Sequence, residues 1–392
     1  MRERRRVLLV TAVALFLSVL VWFNYSAVLP RVVDAWDLSA TEAGIVFGAF
    51  QAGYLVAILP AGSLADRYSP RGVIAVGAVG TAIPSLGFAA LADGAAVGAT
   101  LRFLSGLFVA GVYVPGMRLV SDWYPEGVRG RALGAYIGTF ELGSGLSFAF
   151  ATTAAAAVDW RVAVAATSVG ALLVPGLILG FVRDAPDRQT TERGRGIDVA
   201  LLRNRRFLAA TGVYSFHNWE LFGVRNWLLA FLVAAPAFAA DSTPAGLLVG
   251  GMVVVSGAGN ALGGWLSDQV GRTRVLAAGL GGSALLSAAF GLLGGLPVVA
   301  LSAVTLIYGL VLAVDSAPTS TLITEVVADE HVGSALSVQS LAGFSTTVVS
   351  PVVFGLALDR GGYVAAFQTL AAGAVLGLVC VGVLVGLDTA EV

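Results

Sequence analysis

Long apolar blocks separated by short polar turns run along the chain from residue 7 to residue 387. A helix crossing the bilayer core needs about 20 predominantly apolar residues. Twelve stretches meet that length: 7–30, 43–64, 72–92, 95–117, 132–157, 162–182, 207–235, 244–266, 275–294, 297–320, 333–357 and 363–387. They lack the alternation of a membrane-barrel strand, and lipid offers no partner for free backbone groups, so each predicts an α-helix. The expected fold class is therefore an all-α integral membrane protein, with twelve transmembrane helices in two pseudo-symmetric six-helix bundles. One segment breaks the pattern. Residues 183–206 are polar and arginine-rich. They divide the chain into an N-terminal six-helix half (1–182), a linker (183–206) and a C-terminal six-helix half (207–392). At the end of the linker, Ile197 to Phe207 predicts a short amphipathic helix on the membrane surface.

Composition supports the membrane reading. Of the 392 residues, 57% are hydrophobic and 12% are charged, where a soluble domain has about 25% charged residues. Mean hydropathy is +0.87. The formal net charge of −1 gives no footprint for nucleic acid. The single cysteine, Cys380, precludes an internal disulfide framework. His217 and His331 are too far apart in sequence to suggest zinc, and no metal or cofactor is expected. The basic residues are all arginine, which reflects base composition rather than chemistry. The arginine-rich start, Met1 to Arg6, precedes an apolar run to Pro30 that exceeds the ~7–15 residues of a signal-peptide core. It predicts an uncleaved first helix.

Arginine placement sets the expected orientation. With the N-terminus in the cytoplasm, 18 arginines fall in cytoplasmic segments and 3 (Arg31, Arg161 and Arg360) outside. Both termini are then cytoplasmic, in a multi-pass protein of the plasma membrane.

The two halves echo each other. Gly62, Leu64 and Asp66 recur as Gly264, Leu266 and Asp268, 202 residues later. Asp122 to Gly134 recurs as Glu325 to Ser337, with Gly130, Ala132 and Leu133 aligned to Gly333, Ala335 and Leu336 at an offset of 203. Two independent echoes at nearly one offset indicate duplication. The loop Gly62-Ser-Leu-Ala-Asp66-Arg67-Tyr-Ser-Pro-Arg71 resembles the signature between helices 2 and 3 of the major facilitator superfamily, and the resemblance covers essentially the whole chain. Ser69 and Pro70 depart from the usual glycine and basic residue. The second copy keeps Gly271 and Arg272 but has Gln269 where arginine is common. Arg102-x-x-x-Gly106 resembles the family's fourth-helix motif.

The resemblance implies an alternating-access transporter whose loop motifs hold the cytoplasmic side shut in the outward-open state. Gly62 and Gly264 would let helices approach closely. Asp66 and Asp268 would pair with arginines of neighbouring loops or cap a helix, and Arg129 and Arg131 are the candidates for Asp66. Arg67, Arg71 and Arg272 complete the expected gating set.

Charges inside the spans are costly and mark functional candidates. They are Arg102, Glu141, Glu220, Arg225 and Asp315. At 100° per residue, the seventh helix gathers Tyr214, His217, Asn218, Glu220 and Arg225 within an arc of about 160°. A histidine beside a carboxylate there suits proton or substrate handling; a plain hydrogen bond fastening that helix is the other reading. Arg102 would bind an anion or pair with Glu141, while Gly138, Gly143 and Gly145 around Glu141 suggest close packing. Arg225 could equally snorkel toward the interface. Asn24, Tyr25, Gln51, Tyr54 and Tyr113 are uncharged candidates for a cavity wall. The family's use of helices 1, 4, 7 and 10 raises Asn24, Tyr25, Arg102, His217, Glu220 and Asp315.

The function expected is secondary active transport of a small polar or anionic solute, driven by protons, by a monomer embedded in lipid with no nucleic-acid partner. No phosphate-binding loop suggests ATP drive. Proton-coupled efflux of amphipathic compounds is the alternative; the fifth helix has the glycines of such exporters but no proline. A membrane-embedded enzyme would need a nucleophile or metal set, and none is evident.

Overall fold

A computed structural model describes residues 2–186, 199–328 and 331–389. Each predicted span corresponds to a helix: α1 (Arg2–Trp36), α2 (Ala40–Arg67), α3 (Pro70–Leu91), α4 (Ala95–Trp123), α5 (Glu126–Ala157), α6 (Trp160–Phe181), α7 (Arg205–Ala234), α8 (Thr243–Val270), α9 (Arg272–Phe290), α10 (Val298–Glu325), α11 (332–361) and α12 (363–389). No strand occurs among the described residues. At 1.5 Å per residue, most exceed the ~30 Å of hydrocarbon, so their ends extend into the polar layers.

Three interruptions have local causes. α6 tightens into a 3-10 turn at Gly170–Leu173, just before Pro175. α10 breaks after Leu312 and resumes at Ser316. Between α11 and α12 the chain reverses at Gly362, whose φ of 68° favours glycine. Side chains cap some helix starts: Asp159 accepts the Arg161 N–H at 2.7 Å on α6, and Asn204 accepts the Phe207 N–H at 3.0 Å on α7. The expected surface helix is replaced by a 3-10 stretch, Val199–Arg203, running into α7; Ile197 and Asp198 lie outside the described residues, as does the rest of 187–198, half of the linker.

Among the described residues, nine segments are long and apolar enough to cross a membrane, one of them holding both α11 and α12. α5 and α7 are equally long but more polar. They carry Glu141 on α5 and Glu220 and Arg225 on α7, whereas α4 and α10 stay apolar enough despite Arg102 and Asp315.

The chain forms two compact units. The first comprises Met1–Leu38 and Ile45–Gly194; the second comprises Ser39–Gly44 and Arg195–Val392. In the first, α1 packs on α5 and α6, and α3 on α4, around a core that includes Leu15, Val19, Ile74, Leu119 and Tyr136. In the second, α7 packs on α11 and α12, and α8 on α10, around Phe207, Val213, Leu276, Leu280 and Ile323.

The closest helix approaches use glycines other than those of the loop motifs. A methyl on Gly106 would strike the Phe50 carbonyl, and one on Gly53 the Phe103 carbonyl, so α2 and α4 touch backbone to backbone. In the second unit, Gly259 and Gly263 do the same against Leu310 and Val314. Gly62 meets only Val114 at an ordinary 3.6 Å, and Gly264 meets Ala317 at 3.3 Å. Gly138 has no neighbour within 4 Å, whereas Gly143 packs on Val19.

Candidate functional site

Glu220 is the centre of a buried polar cluster in the second unit. It sits on α7 and is 1% exposed. Ser283 donates to its Oε2 at 2.8 Å, Ser287 to its Oε1 at 2.6 Å, and Tyr308 to the same oxygen at 3.4 Å. Ser287 and Tyr308 also contact each other through their hydroxyls. Ser283 and Ser287 are four apart on α9, hence one above the other on a single face. Tyr308 comes from the first part of α10. Among the described residues, the carboxylate is therefore held by three neutral hydroxyls and by no arginine.

His217 lies one turn earlier on α7. Its Nδ1 is 2.9 Å from Asp315 Oδ1, and its Nε2 is 3.0 Å from the Ser316 hydroxyl. Both partners sit at the break in α10. Asp315 precedes the second half-helix without capping it, so its side chain is free to reach α7. A discontinuous helix leaves backbone groups and dipole ends inside the membrane, where transporters build ion and substrate sites. The seventh-helix face predicted from spacing thus meets α9 and α10. Asn218 donates to the Tyr214 carbonyl at 2.9 Å, while the Tyr214 side chain is half-buried. Arg225 is buried on the same helix.

The first unit holds a different arrangement. Arg102 on α4 is 1% exposed. It donates to the Val21 carbonyl at 3.0 Å, the Trp22 carbonyl at 2.9 Å and Asn24 Oδ1 at 3.1 Å, all on α1. Its guanidinium stacks 4.3 Å from the Phe50 ring centroid and 5.6 Å from that of Tyr25. The Asn24 amide passes the network on to Ser85 at 3.4 Å and Thr167 at 3.1 Å, and Ser168 joins Ser85 at 2.7 Å. Four helices are tied together. Arg102 does not pair with Glu141, which is half-buried on α5; α1 carbonyls lie nearer and satisfy the guanidinium. Its charge meets no carboxylate among the described residues.

The loop motifs form charge clusters at the arginine-rich end of each unit. Asp66 pairs with Arg118 at 3.3 Å, and Arg118 also meets Asp122 at 2.9 Å. The partner is thus on α4 rather than Arg129 or Arg131. Arg129 instead donates to the Tyr124 carbonyl at 3.1 Å, and Arg131 is exposed, as is Arg67. Arg71 turns away to Asp184 at 3.4 Å and the Val182 carbonyl at 2.6 Å. In the second unit, Arg272 bridges Asp268 at 2.6 Å and Glu325 at 3.0 Å, and these charge-assisted bonds hold its guanidinium proton more tightly than usual.

Sequence reasoning missed Ser283, Ser287, Tyr308 and Ser316. A usable signal existed: two serines at i and i+4 in an otherwise apolar, Ala/Gly-rich helix place their hydroxyls on one face.

Two helical bundles of membrane-spanning length, with charged groups enclosed among the helices, define a multi-pass carrier of small molecules. The chain belongs to the major facilitator superfamily, whose family model matches residues 11–243 and 221–392. Among similar proteins are the probable sulfoacetate transporter SauU of Cupriavidus necator, 26% identical over 92% of this chain and 89% of that protein, and the hexuronate transporter of Bacillus subtilis, 25% identical over 92% and 91%. The fold is similar to that of a bacterial homologue of the human lysosomal transporter Spinster, with a TM-score of 0.83 and 17% identity over 98% of this chain and 96% of that one. The protein is a transporter, not an enzyme. It resides in the plasma membrane and handles a small molecule.

Proposed function

We propose that the protein moves a small organic anion together with protons by alternating access, with both termini in the cytoplasm. The observation that carries this reading is Glu220: a carboxylate enclosed inside the second unit, held by Ser283, Ser287 and Tyr308 and beside the His217–Asp315 pair. An ionised group in that setting is costly, and binding a proton removes the cost. The hydroxyls can accept as well as donate, so they can serve either form. The anion half of the reading is supported by Arg102, a buried cation with no carboxylate partner among the described residues, whose field favours negative charge. Sulfoacetate and hexuronates, the solutes in the names of the two relatives above, are anions.

The test is solute accumulation in proteoliposomes under an imposed pH gradient, across a panel of sulfonates, sugar acids, neutral sugars and amphipathic cations. Accumulation of an anion that collapses with the gradient supports the reading. Glu220→Gln should abolish that accumulation while solute exchange at equal pH persists. Full gradient-driven accumulation in this variant would remove Glu220 from coupling, and transport of the amphipathic cations alone would favour efflux instead.

A further inference from the structure

At the arginine-rich end of the first unit, a cavity of about 530 Å³ is lined by Arg6, Arg71, Val182, Arg183 and Asp184, with Leu179, Gly180 and Phe181 along one side. It gathers the start of α1, the start of α3 and the end of α6. We propose that this cavity binds the head group of an anionic phospholipid from the adjacent leaflet.

Charge argues first. Three guanidinium groups and one carboxylate line the site. Asp184 is engaged by Arg71 at 3.4 Å. The Arg183 side chain has no hydrogen-bond or ion-pair partner among the described residues, and Arg6 has only an exposed contact with Glu3 at 3.4 Å, a kind of pair that contributes little. Two arginines are thus available to a phosphate, whose oxygens suit their forked donors.

Architecture argues second. The walls are fixed by bonds that leave those donors alone. Arg71 donates to the Val182 carbonyl at 2.6 Å, and the Trp123 indole donates to the Arg183 carbonyl at 3.0 Å. The backbone carrying Arg183 is therefore held from two sides before any ligand arrives.

Position argues for a lipid rather than a free anion. Leu172, Leu173, Leu179 and Phe181 on α6 are 38%, 61%, 51% and 56% exposed. Leu172 and Leu179, seven residues apart, share one face of α6 as an apolar strip, and Leu179 itself lines the cavity with the arginines. An acyl chain along that strip puts its phosphate in the cavity, and basic pockets between membrane helices recognise anionic head groups in this way.

The experiment is native mass spectrometry and thermal unfolding of the purified full chain in detergent, titrated with phosphatidylglycerol, phosphatidylcholine or inorganic phosphate. Phosphatidylglycerol should bind and stabilise, and the other two should not. Arg6→Ala with Arg183→Ala should weaken phosphatidylglycerol binding by about fivefold per arginine removed, while Asp184→Asn should strengthen it, a gain that misfolding cannot produce. Unchanged phosphatidylglycerol affinity in the double variant, or equal stabilisation by inorganic phosphate or phosphatidylcholine, would overturn the proposal.

Discussion

Arg118 lies 3.3 Å from Asp66, yet no arginine occupies the equivalent place one repeat later. The carboxylates are duplicated: Asp66 and Asp122 correspond to Asp268 and Glu325. Their shared cation is not. In the first unit it is Arg118, one turn before Asp122; the matching residue in the second is Thr321. In the second unit it is Arg272, one turn after Asp268; the matching residue in the first is Pro70. Each unit keeps two carboxylates and one bridging arginine while the arginine has changed position. The departure of Pro70 from the family pattern is therefore compensated locally.

This exchange predicts a rescue. Arg272→Ala should lower stability by about 1 kcal/mol, since the pairs are largely exposed, and should slow transport turnover more than it weakens substrate affinity. Adding Thr321→Arg rebuilds the first unit's arrangement in the second. Turnover should recover in Arg272→Ala/Thr321→Arg, measured by initial rates over a range of solute concentrations. A double variant no faster than the single would show that the position of the cation, not its presence, matters.

Arg102 should behave as a brace that also carries charge. Arg102→Met removes three bonds to α1 and leaves Asn24 Oδ1 without its donor. A loss of about 2–3 kcal/mol is expected for buried bonds to a charged group, read as a fall in unfolding temperature. Arg102→Lys should recover only part, because one ammonium cannot reproduce a planar fork that reaches two carbonyls and an amide. If the charge also attracts the solute, Arg102→Lys should preserve the apparent affinity that Arg102→Met loses.

Hydropathy and repeats made the twelve helices and the duplication legible, because lipid forces every spanning backbone to satisfy itself within a helix. Spacing also placed His217 and Glu220 on one face of α7. Partners were less legible. Asp66 meets Arg118 rather than a loop arginine because α2 and α4 cross at Gly53 and Gly106, and such a crossing depends on tertiary packing. A continuous helix would carry Asp315 toward the inner end of its span. The break between Leu312 and Ser316 instead turns it to His217. Ser283 and Ser287 passed unnoticed because serine is common in membrane helices, and only the position of Glu220 gives their spacing meaning.

The His217–Asp315 pair can be separated from a simple fastener. His217→Gln keeps a polar group able to reach Asp315 and Ser316 but cannot titrate. A fastener predicts wild-type transport with this variant. Participation in coupling predicts that pH-driven accumulation falls to the level of passive leak while the unfolding temperature stays close to wild type. Both are measured on one preparation, reconstituted and in detergent.

Acid should loosen the first turn of α2, which groups with the second unit. Asp359 at the end of α11 accepts the Ala40 N–H at 2.8 Å, the Thr41 N–H at 2.9 Å and the Thr41 hydroxyl at 2.6 Å. Partial burial alone would raise its proton affinity, but the Thr41 hydroxyl, the two backbone donors and Arg360 outweigh it and hold the carboxyl below its usual value. Beside it, the Ser39 hydroxyl and backbone N–H depress Glu42, completing a reciprocal capping box. A carboxyl depressed in the folded state contributes stability above its unfolded value, about 3.9 for aspartate, and loses it as pH falls through the folded value. The unfolding temperature should therefore hold steady from pH 7 to 5 and decline below about pH 4. Asp359→Asn should cost about 1 kcal/mol at neutral pH, the scale of a lost cap. It should also narrow the gap to wild type as the pH drops, leaving the slope due to Glu42. A gap that stays constant down to pH 3 would mean that Asp359 holds α2 by shape and not by charge.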